Sequence, residues 1–225
     1  VQNRNGIRCD ATVSAHAAIA FYCDLDGDGL SDEAEDGRGI ACNFLSWADL
    51  AAYLDWAGLR PMTELEFEKA TGIGSGGTTS EVASNTGANA VFGNEAGLGG
   101  PLRTGSFATP TTGKTLSGAG EYGLTELSGN VWERLITVGH ATGRAFDGLH
   151  GNGALTATGL ADVANWPDET AVGTGARGGG HTDVAARLRL SDRDRAATAF
   201  TTRDNDSGGR GARSTPSLPE IDGGS

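Results

Sequence analysis

Apolar residues recur at helical spacing in two segments of the first third of the chain. In LSWADLAAYLDWAG, residues 45–58, one face carries only apolar side chains: Trp47, Leu50, Ala51, Leu54 and Ala57. Ser46 is a suitable N-cap and Gly58 follows the last apolar position, so a helix is predicted between them. In MTELEFEKATG, Thr63 and Glu66 have the spacing of a capping box and Gly72 is a stop signal, which predicts a second helix.

Two further stretches have the character of strands. One is ATVSAHAAIAFYC, residues 11–23, and the other runs from Val131 to Val138, after a turn at residues 128–130. Residues 72–120 are rich in Gly, Ser and Thr without a clear period, which predicts long surface loops. Helices early and short strands late favour an α+β fold over alternating β-α units, and we expect a single domain over residues 1–225.

The chain is acidic and rich in glycine. It carries a formal net charge of −12, its sequence pI is about 4.6, and 37 of its 225 residues are glycine. This charge disfavours phosphate backbones and anionic membrane surfaces, so we expect no nucleic-acid partner. No run of 18 apolar residues occurs, so we expect no membrane insertion. The first residue, Val1, is compatible with a leader that has been removed.

The segment DLDGDGLSDEAED, residues 24–36, has the spacing of an inserted calcium-binding loop. The pattern D-x-D-x-D-G-x-x-D-x-x-E places oxygen ligands at six positions: Asp24, Asp26, Asp28, the carbonyl of Leu30, Asp32 and Glu35. Five carboxylates within twelve residues repel one another unless a cation lies between them. The sequence therefore predicts calcium as a structural cofactor, and the alternative is a solvated acidic turn.

The three cysteines leave their pairing open. Cys23 and Cys42 bracket the acidic loop and are candidates for a disulfide, which would suit an oxidising compartment. The odd count leaves Cys9 over, and the alternative is that all three are buried thiols.

Three blocks along the chain resemble one known family. AAYLDWAGLRPMTELEFEKATG (51–72), YGLTELSGNVWER (122–134) and ARGGG…RLRLSDR…GGRGAR are similar, in the same order, to blocks of formylglycine-generating-enzyme-type domains. The resemblance covers residues from about 45 to 213 and implies an α+β, C-type-lectin-like fold with long Gly-rich loops. It also implies a second calcium, held by Glu133 and the carbonyls of Ser128, Gly129 and Val131. The alternative is that Glu133 binds backbone groups in the turn.

The metal chemistry of that family's enzymes is not matched here. The copper-dependent enzymes need a cysteine pair near the C-terminus, and this sequence has no cysteine after Cys42. The related iron-dependent sulfoxide synthases need a histidine cluster. The four histidines lack ligand-like spacing: His16, His140, His150 and His181. The sequence therefore predicts a protein that is not an enzyme.

One branch of the same family consists of variable proteins diversified by retroelements, and the blocks ELSGNVWER and LSDR…GGRGAR are similar to that branch. Its reverse transcriptase misreads adenines, and AAC or AAT codons randomised in this way never yield Lys, Glu, Gln, Met or Trp. The chain has 20 such residues, yet residues 170–219 contain none, where a proportional share is about four. We therefore expect residues 181–213 to form a variable ligand-binding region.

Within this region a fixed frame surrounds a variable middle. We expect four arginines to hold the frame by hydrogen bonds to carboxylates such as Asp192 and to carbonyls: Arg189, Arg193, Arg203 and Arg210. The predicted ligand-binding residues lie among them: Asp194, Arg195, Ala197, Thr198, Phe200, Thr202, Asp204, Asn205, Asp206 and Ser207. Phe200 is the one large apolar side chain in this set and is the predicted anchor. The alternative is an ordinary polar loop.

The first functional hypothesis is a receptor- or adhesin-type protein that presents this surface to a protein or cell-surface ligand. Such a role predicts an extracellular, cell-surface or virion-associated location. Two other hypotheses stay open: an oxidoreductase of the formylglycine-generating or sulfoxide-synthase type with a degenerate site, and a calcium-dependent sugar lectin. The sugar lectin lacks support because no Glu-Pro-Asn or Gln-Pro-Asp motif occurs.

Overall fold

The computed structural model describes residues 6–9, 20–30, 33–72, 100–113, 117–184 and 186–214. These residues form three α-helices and seven short strands: β1 (Ile7–Cys9), β2 (Phe21–Cys23), α1 (Trp47–Trp56), β3 (Arg60–Pro61), α2 (Glu64–Thr71), β4 (Trp132–Ile136), α3 (Ala141–Arg144), β5 (Thr174–Arg177), β6 (Ser207–Gly209) and β7 (Gly211–Ala212). A 3₁₀ turn at Ala34–Asp36 precedes α1. The mixture of helix and strand is compatible with the predicted α+β class. Among the described residues, no helix combines the length and apolar character needed to cross a bilayer.

Helices α1 and α2 begin where their local sequence specifies. Ser46 accepts a hydrogen bond from the N–H of Asp49, whose carboxylate accepts one from the N–H of Ser46. Thr63 and Glu66 form the same reciprocal pair at the start of α2. Gly72 ends α2 with φ of 79°, a left-handed conformation that glycine adopts without steric cost. Both predicted helices are confirmed.

The principal sheet has the strand order β5-β4-β6. Strand β4 pairs antiparallel with β5, where Glu133 lies opposite Arg177, and parallel with β6, where Trp132 lies opposite Ser207. All five residues of β4 are buried. The strand predicted over residues 131–138 is confirmed within shorter bounds. A two-stranded pair, β3 with β7, lies outside this sheet and joins Arg60 to Ala212.

The N-terminal predictions are met only in part. Of the strand predicted over residues 11–23, the structure has Phe21–Cys23, which pairs antiparallel with β1, and residues 10–19 lie outside the described residues. The disulfide between Cys23 and Cys42 is not formed, since all three cysteines are thiols in the structure. The alternative of three buried thiols is also corrected, since Cys9 and Cys42 are exposed.

The core has two parts. The first packs α1 against the principal sheet and a later loop: Trp47, Leu50, Ala51, Leu54, Ile136, Trp166 and Ala171. The second packs α2 against the other side of β4: Met62, Phe67, Ala70, Leu127, Leu135 and Leu190. Leu190 belongs to the predicted variable region, so that region contributes directly to the core.

The prediction of surface loops over residues 72–120 is corrected at Leu102, whose side chain is buried. Its N–H donates to the side-chain oxygen of Asn130 at 2.9 Å, and its carbonyl accepts from Ala41 at 3.1 Å. The chain after residue 100 therefore packs against the turn before β4. Residues 73–99 and 114–116 lie outside the described residues.

Gly175 in β5 is a point of close approach between the sheet and the predicted variable region. A Cβ at this position would lie 1.8 Å from the carbonyl oxygen of Ala196. We expect Gly175→Ala to lower the free energy of unfolding by about 2 kcal/mol or more, because β5 or the loop must move. Chemical denaturation measures this change.

The matched control is Gly113→Ala, where an added Cβ would meet no atom within 4 Å. We expect that variant to change the free energy of unfolding by less than about 0.5 kcal/mol. Equal effects of the two substitutions would contradict the importance of the close approach.

Candidate functional site

A long loop, residues 186–206, leads from β5 to β6 and contains most of the predicted binding residues. Three of its apolar side chains are buried and fix its path over the core: Leu188, Leu190 and Ala196. A larger set of small and polar side chains is exposed: Ser191, Arg193, Asp194, Ala197, Thr198, Ala199, Thr201, Thr202, Arg203 and Asp204. The 186–206 loop thus has a few inward anchors and a broad outward surface.

Arg134 in β4 holds the middle of this loop through its backbone. The buried guanidinium donates to three carbonyl oxygens, from Nε to Leu45 at 2.8 Å, from Nη1 to Phe200 at 2.7 Å and from Nη2 to Thr202 at 2.8 Å. Burial lowers the pKa of Arg134, and nearby carboxylates, chiefly that of Asp204, oppose this shift. Because all three acceptors are backbone atoms, these bonds do not depend on which side chains occupy positions 200 and 202.

Glu64, at the start of α2, ties the loop to the helix and the sheet. Its Oε1 lies 3.0 Å from Nη1 of Arg177 and 3.0 Å from Nη1 of Arg193. Glu68, one turn later, contacts both arginines at 2.7 Å. Arg177 also donates to the carbonyl of Leu190 at 2.6 Å. Arg177 and Glu64 are both buried, so each depends on the other for charge compensation.

Arg203 joins the far part of the loop to the cap of α1. Its Nε and Nη2 donate to the two carboxylate oxygens of Asp49 at 2.7 and 2.6 Å. Partial burial raises the pKa of Asp49, but hydrogen bonds from Arg203 and Ser46 outweigh burial and lower it to about 2. One carboxylate therefore both caps a helix and fixes the loop.

The end of the loop is held by the segment that precedes α1. The side-chain amide of Asn43 donates to the carbonyl of Asn205 at 2.6 Å, and the N–H of Phe44 donates to the carbonyl of Asp204 at 3.1 Å. Nε2 of His181 lies 3.0 Å from the same Asn205 oxygen. These bonds again use backbone acceptors of the loop.

The predicted frame is partly confirmed. Arg193, Arg203 and Arg210 all bind carboxylates. Their partners lie more than 70 residues away in sequence, whereas the carboxylate of Asp192 accepts the N–H of Asp194 at 3.2 Å. The local partner named from the sequence is corrected because the fold brings distant carboxylates to these arginines.

Two predicted ligand-binding residues, Asp206 and Ser207, have structural roles instead. Asp206 is buried and accepts the hydroxyl of Thr182 at 2.6 Å, while its carbonyl accepts from Trp132 at 2.6 Å. Ser207 is buried because it is the first residue of β6. Asn205 is half-buried, and its carbonyl accepts the two contacts described above.

The predicted anchor, Phe200, is half-buried and engaged within the molecule. The guanidinium carbon of Arg195 lies 5.2 Å from the centroid of the Phe200 ring and 4.7 Å from that of the Trp132 ring. Both distances are within the range of cation–π interactions. The Arg195 guanidinium therefore stacks on the rings of both Phe200 and Trp132. Five predicted residues remain on the exposed surface: Asp194, Ala197, Thr198, Thr202 and Asp204.

Two charged residues essential to this arrangement were not singled out from the sequence, Arg134 and the buried Arg177. The signal for Arg134 was available, because WERLI places it beside Glu133 inside a short strand. A charge within a strand that is buried on both faces needs a specific partner.

Glu133, predicted to bind calcium, has an arginine as its counter-charge. Arg210 pairs with Glu133 through Oε1 and also donates to the carbonyl of Thr125 at 3.1 Å. The other oxygen, Oε2, has no hydrogen-bond partner among the described residues. A cavity of about 390 Å³ lies beside this pair, lined in part by Arg38 and Cys42. The second calcium stays a prediction, and this guanidinium already supplies positive charge there.

The acidic loop brings together three of its six predicted ligands. Asp24, Asp26 and Asp28 each place a carboxylate oxygen within 4.8 Å of the other two. Leu30 follows them, with an exposed side chain. Asp32 lies outside the described residues, and Glu35 is exposed in the 3₁₀ turn and does not join the group.

Glu33 is the carboxylate that the motif did not identify. The negative charge of Asp28, followed by slight burial and the charge of Asp26, raises the pKa of Glu33. Glu33 therefore lies in the field of the acidic group even though the motif assigns no ligand to its position.

Comparison with known proteins identifies one family. The family model described as sulfatase-modifying factor enzyme 1-like domain matches residues 42–215, which is most of the chain. A comparison with curated proteins found no match. The family match supports the predicted C-type-lectin-like fold, and the acidic loop of residues 24–36 lies outside the matched range.

The three carbonyls around Arg134 give a test of the frame. We expect Arg134→Lys to lower the free energy of unfolding by about 2–3 kcal/mol, because an ammonium group cannot reach three carbonyls in a planar fork. Hydrogen exchange should increase at residues 198–203. Arg144→Lys, at an exposed arginine that donates one hydrogen bond to Val138, is the control and should have little effect. Unchanged exchange in Arg134→Lys would contradict the assigned role.

The pH dependence of stability tests the state of Glu133. Burial raises its pKa from 4.5 to about 6, although Arg210 opposes the shift. The folded protein therefore takes up a proton near pH 6 that the unfolded chain takes up only near pH 4.5. Stability relative to Glu133→Gln should thus rise by about 2 kcal/mol as the pH falls through this window.

This comparison uses denaturation of both proteins in a chelating buffer at several pH values between about 7 and 4. The Gln variant keeps an oxygen for Arg210 but does not titrate. A relative loss of stability on acidification would contradict the raised pKa and would fit a carboxylate whose ionised form is stabilised.

Proposed function

Because the chain belongs to the sulfatase-modifying factor enzyme 1-like family, we propose that it uses that family's fold as a non-enzymatic scaffold for ligand binding. The binding surface is the exposed part of the 186–206 loop. The observation that carries this proposal is that Arg134 fixes the loop through the carbonyls of Phe200 and Thr202. The exposed side chains nearby are therefore available for a ligand.

The chemistry of the surface favours a macromolecular ligand. Its exposed members have short side chains, all but one of them polar or charged: Asp194, Ala197, Thr198, Thr202 and Asp204. Two cavities among the described residues, of about 390 and 270 Å³, are lined by other residues. The exposed surface offers many weak contacts, so we propose a protein or cell-surface ligand. Display in several copies would raise the overall affinity.

We propose further that the surface is diversified by a retroelement. The support is the similarity of the sequence blocks to variable proteins, and the absence of Lys, Glu, Gln, Met and Trp from residues 170–219. The fixed backbone contacts are compatible with this, since they tolerate exchange of outward side chains. A binding protein of this kind belongs at an extracellular, cell-surface or virion location.

The enzyme alternative has weaker support. All three cysteines lie within the first 42 residues, and Cys42 is distant in sequence from the C-terminal blocks where that chemistry would need a cysteine pair. The alternative has a direct test, which is metal analysis of the purified protein after exposure to copper or iron. Stoichiometric copper or iron would favour the enzyme.

The gene provides the test of diversification. We expect a near-copy of the codons for residues 180–213 within a few kilobases beyond the gene's 3′ end, beside a reverse-transcriptase gene. The two copies should differ only where the template has adenine. Absence of such a copy would leave the scaffold in place and remove the case for a diversified surface.

The same incoming residue at two positions tests the division between surface and frame. We expect Thr202→Tyr to change the free energy of unfolding by less than about 0.5 kcal/mol, because Thr202 is exposed. Ser207→Tyr should lower it by about 2–4 kcal/mol, because Ser207 is buried at the start of β6. Chemical denaturation of both variants measures the two changes in the free energy of unfolding. Similar losses would contradict the proposed tolerance of the surface.

A further inference from the structure

The acidic loop contains a buried carboxylate whose charge is poorly compensated. Asp24 is only 4% exposed, and its Oδ1 has no hydrogen-bond partner among the described residues. Its other oxygen, Oδ2, lies 3.7 Å from Nε of Arg8, which is a long and half-exposed contact. An ionised carboxylate in such a position is costly unless a cation or donors satisfy it.

The carboxylates of Asp26 and Asp28 converge on this buried group. One oxygen from each of the three residues lies within 4.8 Å of the others. Asp26 and Asp28 are exposed, so they provide an open side from which a hydrated ion can enter. A second buried oxygen of the same segment, Oδ1 of Asp36, also has no hydrogen-bond partner among the described residues.

We propose that Asp24, Asp26 and Asp28 bind a calcium ion. This proposal does not depend on the proposed ligand-binding function. Calcium fits because it takes six to eight oxygen ligands in flexible geometry, whereas magnesium requires near-ideal octahedral coordination. Carbonyl oxygens of the loop and water complete such a shell.

The backbone of the loop is suited to wrapping around an ion. Gly27 and Gly29 have φ of 81° and 87°, and an added Cβ at either would meet no atom within 4 Å. Glycine is therefore required at these positions by the left-handed backbone conformation and not by a lack of space for a side chain. The loop bends at both positions, on either side of Asp28.

An ion at this position would join β2 to the segment that leads into the scaffold. A Cβ at Gly37 would lie 3.1 Å from the side chain of Leu25 and 3.3 Å from that of Ile40, so these residues are already close. Ile40 in turn bridges to Arg103. Calcium would therefore stabilise the folded chain by binding only the folded loop.

Calorimetric titration of the metal-free, full-length protein with calcium chloride tests the proposal. We expect saturable binding that Asp26→Asn weakens by about tenfold or more, because ligand charge count sets the affinity of such loops. Asp24→Asn should do the same. A rise in Tm with calcium in the unaltered protein, absent in Asp26→Asn, provides a second readout if Asp24→Asn does not fold.

Glu35→Gln is the matched control for Asp26→Asn, since each removes one charge from the same segment. We expect Glu35→Gln to weaken binding by less than about threefold, because Glu35 does not join the three aspartates. Absence of calcium binding, equal affinity for magnesium, or binding that survives Asp26→Asn unchanged would overturn the site itself.

Discussion

The buried guanidinium of Arg134 is the constraint on which the surface loop depends. It lies in the central strand of the principal sheet and donates to carbonyls of Leu45, Phe200 and Thr202. A buried guanidinium is costly when its N–H groups lack hydrogen-bond acceptors. Release of these carbonyls would leave the N–H groups of Arg134 buried without acceptors. The segment before α1 and the middle of the 186–206 loop are consequently held at fixed positions around the Arg134 side chain.

Although the chain has a net negative charge, several of its arginines form specific ion pairs with carboxylates of the two long helices, α1 and α2. Arg177 and Arg193 meet at Glu64, and Arg203 meets Asp49 on the other helix. The helices thus supply the carboxylates, and the later sequence supplies the arginines. Docking the loop therefore requires α1 and α2 to be in place, because each arginine pairs with a carboxylate more than 100 residues earlier in the sequence.

Local signals predicted the local structure well. The capping boxes at Ser46 and Thr63 involve residues three apart, so the sequence contains all the information for both helix starts. The strand around Trp132 was also predictable, because its apolar character follows a clear turn. The partners of Arg193 and Arg203 were not, since nothing near them in sequence indicates Glu64 or Asp49.

The prediction of exposed ligand-binding residues was wrong where β6 begins. Asp206 and Ser207 have the composition of a loop, and only their pairing beside Trp132 buries them. Leu102 shows the same limit, because its burial depends on the distant Asn130. In both cases a polar or glycine-rich local context gave no indication of a contact made across the fold.

The kind of atom that makes each contact separates fixed from exchangeable positions in the loop. Arg193 and Arg203 bind through their side chains, so their identity is part of the frame. Phe200 and Thr202 are held through their carbonyls, which every residue possesses. Phe200 is an intermediate case, because its ring also stacks on Arg195. Thr202 is thus a position where exchange leaves the backbone contacts of the frame in place, and a binding surface can change there without a new fold.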